Sequence, residues 1–251
     1  MNLIFTFIKS IIFDLFIALW CIVICIIFFP FGRNKKTALF IGRVISFGFV
    51  LGSKYIIGMR YKCPNLKEID KGGYLILSKH QSPWETTFFG LHLKNAVYIL
   101  KSNLKKIPFY GWYLDEMQMI SINRNGGISE MKRMNAAILQ RLKSGLNVVI
   151  FPQGTRTLPH QNNSEVKYKL GCLDIFNNYT GKIAIMALDS GICWPKGAFS
   201  LKKSGTINLK LIKTMEITPE IYKAKKHEIR AMIENEIEEK SEKLYRKRTK
   251  I

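Results

Sequence analysis

One of the four histidines in this chain, His80, follows an apolar run and stands five positions ahead of a glutamate, in LILSKHQSPWETTFFG (75–90). An imidazole held through one ring nitrogen by a carboxylate offers the other nitrogen as a base near neutrality, suited to taking a proton from an alcohol. If that alcohol belongs to the substrate, the protein needs no serine or cysteine nucleophile. The local pattern favours such a pair. Ser82 reads as a helix N-cap, Pro83 as the first helical residue and Glu85 as the third. A helix begun there brings the Glu85 carboxylate back over the loop within reach of His80. The same residues also read as a plain capping box beside a polar loop histidine, and this stretch alone does not separate the two.

A second candidate is VIFPQGTRT (149–157), where Pro152 and Gly154 force a turn that presents Thr155 and Arg156. Arginine grips phosphate through two parallel hydrogen bonds. Read by itself, the turn equally suits a solvated arginine at a strand end. Between the two, KSNLKKIPFYGW (101–112) carries Lys101, Lys105 and Lys106 beside Pro108 and Gly111, and taken alone is a basic loop.

These residues need a scaffold, and the pattern after about residue 58 is that of an α/β domain. Apolar runs at 73–78, 95–100, 147–151 and 182–188 read as strands, 116–122 as a weaker one, and 206–212 as a late edge strand. Helical spacing of Met131, Met134, Ile138 and Leu142 marks a helix over 129–143, closed by Gly145. A final helix starts at Thr218 and Pro219, with Ile229, Ile233 and Ile237 on one face, and ends in the basic YRKRTK. Alternating strands and helices imply a mostly parallel central sheet flanked by helices. In such sheets ligands bind beyond the carboxyl ends of the strands. His80 and the 152–156 turn both follow strands there.

The N-terminal stretch, taken as 1–57 against a domain of 58–251, is of another kind. From 15 to 31 no residue is charged, and the run ends in GRNKK. A span needs about 20 apolar residues, so this segment is near full length. A basic flank suits a cytoplasmic interface, and no small-residue cleavage site follows as a signal peptide would require. The next segment, TALFIGRVISFGFVLGSKYIIGM (37–59), is interrupted by Arg43 and Lys54 and reads as a half-inserted or interfacial helix. Net charge is +21, from 39 Lys and Arg against 18 Asp and Glu, which points to an anionic partner: acidic lipid, phosphorylated substrate or nucleic acid. No nucleic-acid motif accompanies the charge. The five cysteines form no C-x-x-C pair, so neither a disulfide framework nor a zinc site is expected.

The order H-x-x-x-x-E, K-x-x-L-x-x-x-P-x-x-G, F-P-x-G-T-R over residues 60–200 resembles the glycerolipid acyltransferase family, above all its 1-acyl-sn-glycerol-3-phosphate branch. The resemblance makes His80 the general base and Glu85 the carboxylate that orients it. It assigns Arg156 to the substrate phosphate, with Gln153, Gly154 and Thr155 in the same block and Lys101 and Arg124 at the acceptor site. ALDSGICWPKG (187–197) is similar to the family's fourth block, on the acyl-donor side. Four positions depart from the family pattern: Glu85 stands for an aspartate, Gln153 for a glutamate, and Met186 and Asp189 for a frequent proline and asparagine.

The implied activity is transfer of a fatty acyl group from a thioester to the 2-hydroxyl of lysophosphatidic acid, making phosphatidic acid. Its partners are lysophosphatidic acid, acyl-CoA or acyl-acyl carrier protein, and anionic membrane lipid. No metal or cofactor and no nucleic acid is expected. Small size and the lack of a targeting extension lead us to expect a bacterial inner-membrane enzyme facing the cytoplasm. Rival readings are another lysophospholipid or lyso-aminolipid acceptor, a basic membrane-anchored nucleic-acid-binding protein, and a hydrolase, though no G-x-S-x-G elbow is present.

Overall fold

The structure, a computed structural model, describes residues 3–28, 34–107, 110–123, 125–162, 164–197 and 200–249. Two helices come first, α1 (Leu3–Phe28) and α2 (Lys35–Gly52), the latter continued by a π-helical turn at Ser53–Ile57. Then follow β1 (Met59–Lys62), β2 (Tyr74–Ser78), α3 (Pro83–His92), β3 (Ala96–Lys101), α4 (Tyr110–Glu116) and β4 (Ile120–Ile122). The rest comprises α5 (Gly127–Lys143), β5 (Asn147–Ile150), β6 (Gly181–Leu188), β7 (Gly205–Ile217) and α6 (Pro219–Thr249), whose helical backbone is interrupted at Lys225.

The described strands form one sheet in the order β1-β7-β6-β2-β5-β3-β4. From β6 across to β4 every pairing is parallel, whereas β7 runs antiparallel to β6, with β1 beside it. The sheet separates two apolar cores. Leu75 and Leu77 of β2 face α5 and α6, and Ile76 between them faces α3. Burial on both faces is why β2 and β5 read as continuous apolar runs rather than alternating ones. On the α3 side Trp84, Phe88 and Phe89 are almost fully buried, each such side chain contributing about 1.5–3 kcal/mol of burial free energy.

Two expectations are corrected. Residues 116–119 are not strand: α4 ends at Glu116, and Gln118 takes a left-handed φ of 61°, so only Ile120–Ile122 pairs with β3. The apolar look of that stretch comes from Met117 and Met119, which are core residues of a turn. The strand foreseen at 206–212 is longer and internal, because the short β1, with one buried residue, takes the edge beyond it. Beyond these, α2 packs into the domain as well as beside α1: Ala38 and Ile41 are fully buried, and Ser53 just past its end accepts a hydrogen bond from Trp84 Nε1 of α3 at 3.2 Å.

Both N-terminal helices are long and apolar enough to cross a membrane by length and composition. One flank of α1 is docked on the domain. Phe13 meets Trp194 edge-on at 5.2 Å, and Asp14 pairs with the buried Lys202 at 2.8 Å. Its other sides expose Phe7, Ile8, Ile11, Leu15, Leu19 and Ile22, and Arg43 of α2 and Lys54 of the π-helical turn after it are exposed too. A continuous apolar surface of this extent is stable in lipid rather than in water. The chain associates with a membrane through these helices.

Candidate active site

His80 lies two residues past the end of β2, and the Ser82 hydroxyl caps α3 as foreseen, with Glu85 closing the capping box. Glu85 does more than cap. Its Oε1 accepts the backbone N–H groups of Gln81 at 2.6 Å and Ser82 at 2.8 Å, and it lies 2.9 Å from His80 Nδ1. Its Oε2 accepts the hydroxyl of Ser190 at 2.6 Å. The side chain is fully buried, whereas that of His80 is 20% exposed. A buried carboxylate survives only when paired and hydrogen-bonded, and four donors meet that demand. Since a carboxylate is acceptor only, His80 Nδ1 carries the hydrogen, so that in the neutral ring Nε2 is the nitrogen with the lone pair. The ring is also held flat against Phe151, 4.1 Å between centroids and 14° apart. Capping box and imidazole–carboxylate pair, alternatives in the sequence, occur together.

The 152–156 turn follows β5, the strand next to β2, so the topology places it beside His80. Gly154 has a φ of +66°, a conformation that disfavours any other residue. Its N–H donates to the Phe151 carbonyl at 2.9 Å, which closes the turn. Thr157 N–H and Oγ1 both bond the His80 carbonyl, at 2.7 and 3.1 Å, and the His80 N–H donates to Gln153 Oε1 at 3.1 Å. Two motifs 73 residues apart are thus one unit.

That unit opens into a cavity of about 660 Å³ lined by His80, Lys101, Gly154, Thr155, Arg156 and Lys169 on its polar side. The opposite wall is apolar, built from Ile99, Leu100, Ile122, Ile128, Met131 and Met134. The apolar stripe of α5 is therefore divided. Ile138 and Leu142 are core, while Met131 and Met134, one to two turns earlier, face the cavity. No ion pair involves Lys101, Arg156 or Lys169 among the described residues. Such a site suits an amphiphile with an anionic head and an apolar tail.

Not every candidate converges. Gln153 is buried behind the turn rather than lining the cavity. Arg124 lies outside the described residues, as does Pro108 of the second motif. Lys105 is paired with Asp115, away from the lining. Gly111 of that motif is a close-approach residue, since a Cβ there would sit 2.0 Å from the Lys105 carbonyl oxygen. Asp189, the departure in the fourth block, accepts the N–H and the amide of Asn208 on β7 at 2.7 and 2.8 Å. Ser190 and Lys169 belong to the site yet were missed. Ser190 lay within the quoted fourth block, but only the fold shows that its hydroxyl meets Glu85.

The Acyltransferase family model matches residues 60–191, more than half of the chain. The chain belongs to this family. Among curated acyltransferases it is similar to the 1-acyl-sn-glycerol-3-phosphate acyltransferase of Pseudomonas aeruginosa, 32% identical over 157 residues, covering 62% of this chain and 60% of that protein. It is also similar to the enzyme of the same name from Helicobacter pylori, 33% identical over 135 residues, 51% of this chain and 54% of that one. The matched stretches thus span little more than half of each relative. The crystal structure of the 1-acyl-sn-glycerophosphate acyltransferase PlsC of Thermotoga maritima shares the fold, with a TM-score of 0.71 over 95% of this chain and 97% of that one, at 17% identity.

Cys172 lines the acyltransferase cavity but is buried, and burial pushes its thiol up to about 12. At pH 8 its thiolate fraction is then about 10⁻⁴, too small for fast alkylation. Peptide mass spectrometry after brief iodoacetamide treatment is expected to find Cys172 unmodified. Rapid labelling would mean that this wall of the cavity opens.

Proposed function

We propose that the chain transfers a fatty acyl group from a thioester to the 2-hydroxyl of 1-acyl-sn-glycerol 3-phosphate, forming phosphatidic acid. The observation that carries this reading is one cavity holding the oriented imidazole, an apolar wall and three cations that have no ion-pair partner among the described residues. The names of the relatives support it.

In this reading Arg156, with Lys101 and Lys169, holds the phosphate, and the acyl chains lie along Met131, Met134 and Ile128. The lone pair on His80 Nε2 takes the proton of the 2-hydroxyl as its oxygen attacks the thioester carbonyl. Glu85 stabilises the imidazolium so formed. The Gly154 N–H is already engaged, so the oxyanion falls to the N–H groups of Thr155 and Arg156, which have no intramolecular partner among the described residues. Collapse of the tetrahedral species breaks the C–S bond, and His80 returns the proton to the departing thiolate. The route needs no cofactor besides its co-substrate, acyl-CoA or acyl-acyl carrier protein. Anionic lipid at the cytoplasmic face of a bacterial inner membrane suits both the basic surface and the apolar helices.

Arg156 provides the test of the acceptor. Losing a bidentate charge-assisted contact of about 1.5–3 kcal/mol should raise KM for lysophosphatidic acid about 10–100-fold in Arg156→Ala. Use of lysophosphatidylethanolamine, which lacks a phosphomonoester, should stay low in both proteins. Equal use of the two acceptors by wild type, unaffected by the substitution, would point to a different lysolipid.

A further inference from the structure

Glu238 lies on α6, outside every sequence block that marks the site. Its Oε2 accepts from Lys79 Nζ at 2.7 Å, and its Oε1 from the Tyr168 hydroxyl at 2.8 Å and the Gln153 amide at 3.3 Å. Each donor immediately precedes a residue of the cavity wall: Lys79 before His80, Gln153 before Gly154, Tyr168 before Lys169. Lys79 and Gln153 are 1% and 2% exposed, so neither finds a substitute partner in water. Lys79 also donates to the Gln161 carbonyl at 3.0 Å. One turn further along α6, Ser241 Oγ accepts the Leu188 N–H at 3.4 Å, which seats the helix along the strand ends.

We propose that Glu238 is a positioning residue, setting His80 and the Gly154–Arg156 turn in register, and that it dictates glutamine at position 153. Gln153 is the hinge of the arrangement: its oxygen accepts from the His80 N–H while its nitrogen donates to Glu238. An amide does both, whereas an ionised carboxylate has no hydrogen to donate. A glutamate at 153 would set a second carboxylate against Glu238 in a buried site, where two like charges repel. The family's usual glutamate is therefore disfavoured here by a residue 85 positions away. Exchanging the two side chains should restore the set. In Q153E/E238Q the new carboxylate still accepts from His80 N–H, and the new amide on α6 donates to it and to the Tyr168 oxygen. The oxygen of that amide accepts from Lys79, and the net charge is unchanged.

This inference rests on the proposed activity, and the test keeps the two separable. Full-length wild type, Q153E, E238Q and Q153E/E238Q would be compared in phosphatidylethanolamine–phosphatidylglycerol vesicles. The readouts are kcat and KM for lysophosphatidic acid, and thermal unfolding of each protein. A misplacement of about 1 Å at a catalytic group costs up to about 10²-fold. Q153E should accordingly lose roughly 10–100-fold in kcat with KM within about threefold, and the exchange should return kcat to within about threefold of wild type. Wild-type kcat in Q153E, or an exchange no faster than Q153E, overturns the proposal. Should wild type itself not use lysophosphatidic acid, the substrate reading fails and the melting temperatures decide the geometry. Non-additive shifts across the four proteins support a 153–238 contact, and additive shifts refute it.

Discussion

Replacing His80 by alanine is expected to lower kcat by about 10²–10⁴-fold, the usual worth of general-base assistance, with KM for the acceptor nearly unchanged. In the proposed mechanism the imidazole meets the reacting hydroxyl and Arg156 holds the phosphate, so binding and chemistry should separate. The fold should survive. With His80 removed, Glu85 still accepts from Gln81 N–H, Ser82 N–H and the Ser190 hydroxyl, so no buried charge is orphaned. The loss of ring packing on Phe151 should cost no more than about 1 kcal/mol. Calorimetry beside steady-state kinetics checks both halves. An unfolded His80→Ala would mean that the ring is structural, and a fully active one would remove it from the chemistry.

Glu85→Gln should have the second largest effect, about 10²-fold in kcat and less than that of His80→Ala. A carboxamide at the orienting position of a triad normally costs about 10⁴-fold because its NH₂ turns toward the histidine and imposes the wrong tautomer. That outcome is blocked here. The N–H groups of Gln81 and Ser82 converge on the same Oε1 that faces Nδ1, so the amide oxygen must occupy that place. The NH₂ is left to face Ser190, whose hydroxyl can turn to accept it. The tautomer is preserved, and only the negative charge that stabilises the imidazolium is lost. Glu85→Ala should behave differently. It leaves three buried donors without an acceptor at about 1–3 kcal/mol each and threatens folding itself. Wild-type kcat in Glu85→Gln would contradict the stabilisation of the imidazolium by the Glu85 charge.

The two substitutions mark what was readable along the chain. The helix start that brings Glu85 over the His80 loop was legible because it is local, a cap, a proline and a carboxylate within six residues, but whether Glu85 caps or pairs with His80 was not. The 152–156 turn was legible because Pro152 and Gly154 dictate it whatever surrounds them. The parallel sheet followed from β2, β5 and β6, whose apolar runs are long enough to require burial on both faces. Long-range choices were not legible. Whether β7 lies inside the sheet depends on β1, four residues of which only Met59 is buried, too weak a pattern to announce a strand. Ser190 meets Glu85 across 105 residues and Glu238 meets Gln153 across 85, and nothing in the spacing of either pair signals the contact. The stripe on α5 was read correctly as helical, but which half faces the core and which the cavity is decided by β3 and β4 beside it.

Acylation of lysophosphatidic acid with His80 as the base can be tested by product formation in membranes from cells whose own activity of this kind is removed, carrying either wild type or His80→Ala. Lysophosphatidic acid would be supplied with labelled acyl-CoA and, separately, with labelled acyl-acyl carrier protein. Labelled phosphatidic acid that appears with wild type and falls by at least about 10²-fold with His80→Ala is the expected result, and the faster donor identifies the co-substrate. Phosphatidic acid made equally well by both proteins, or made by neither from either donor, would contradict it.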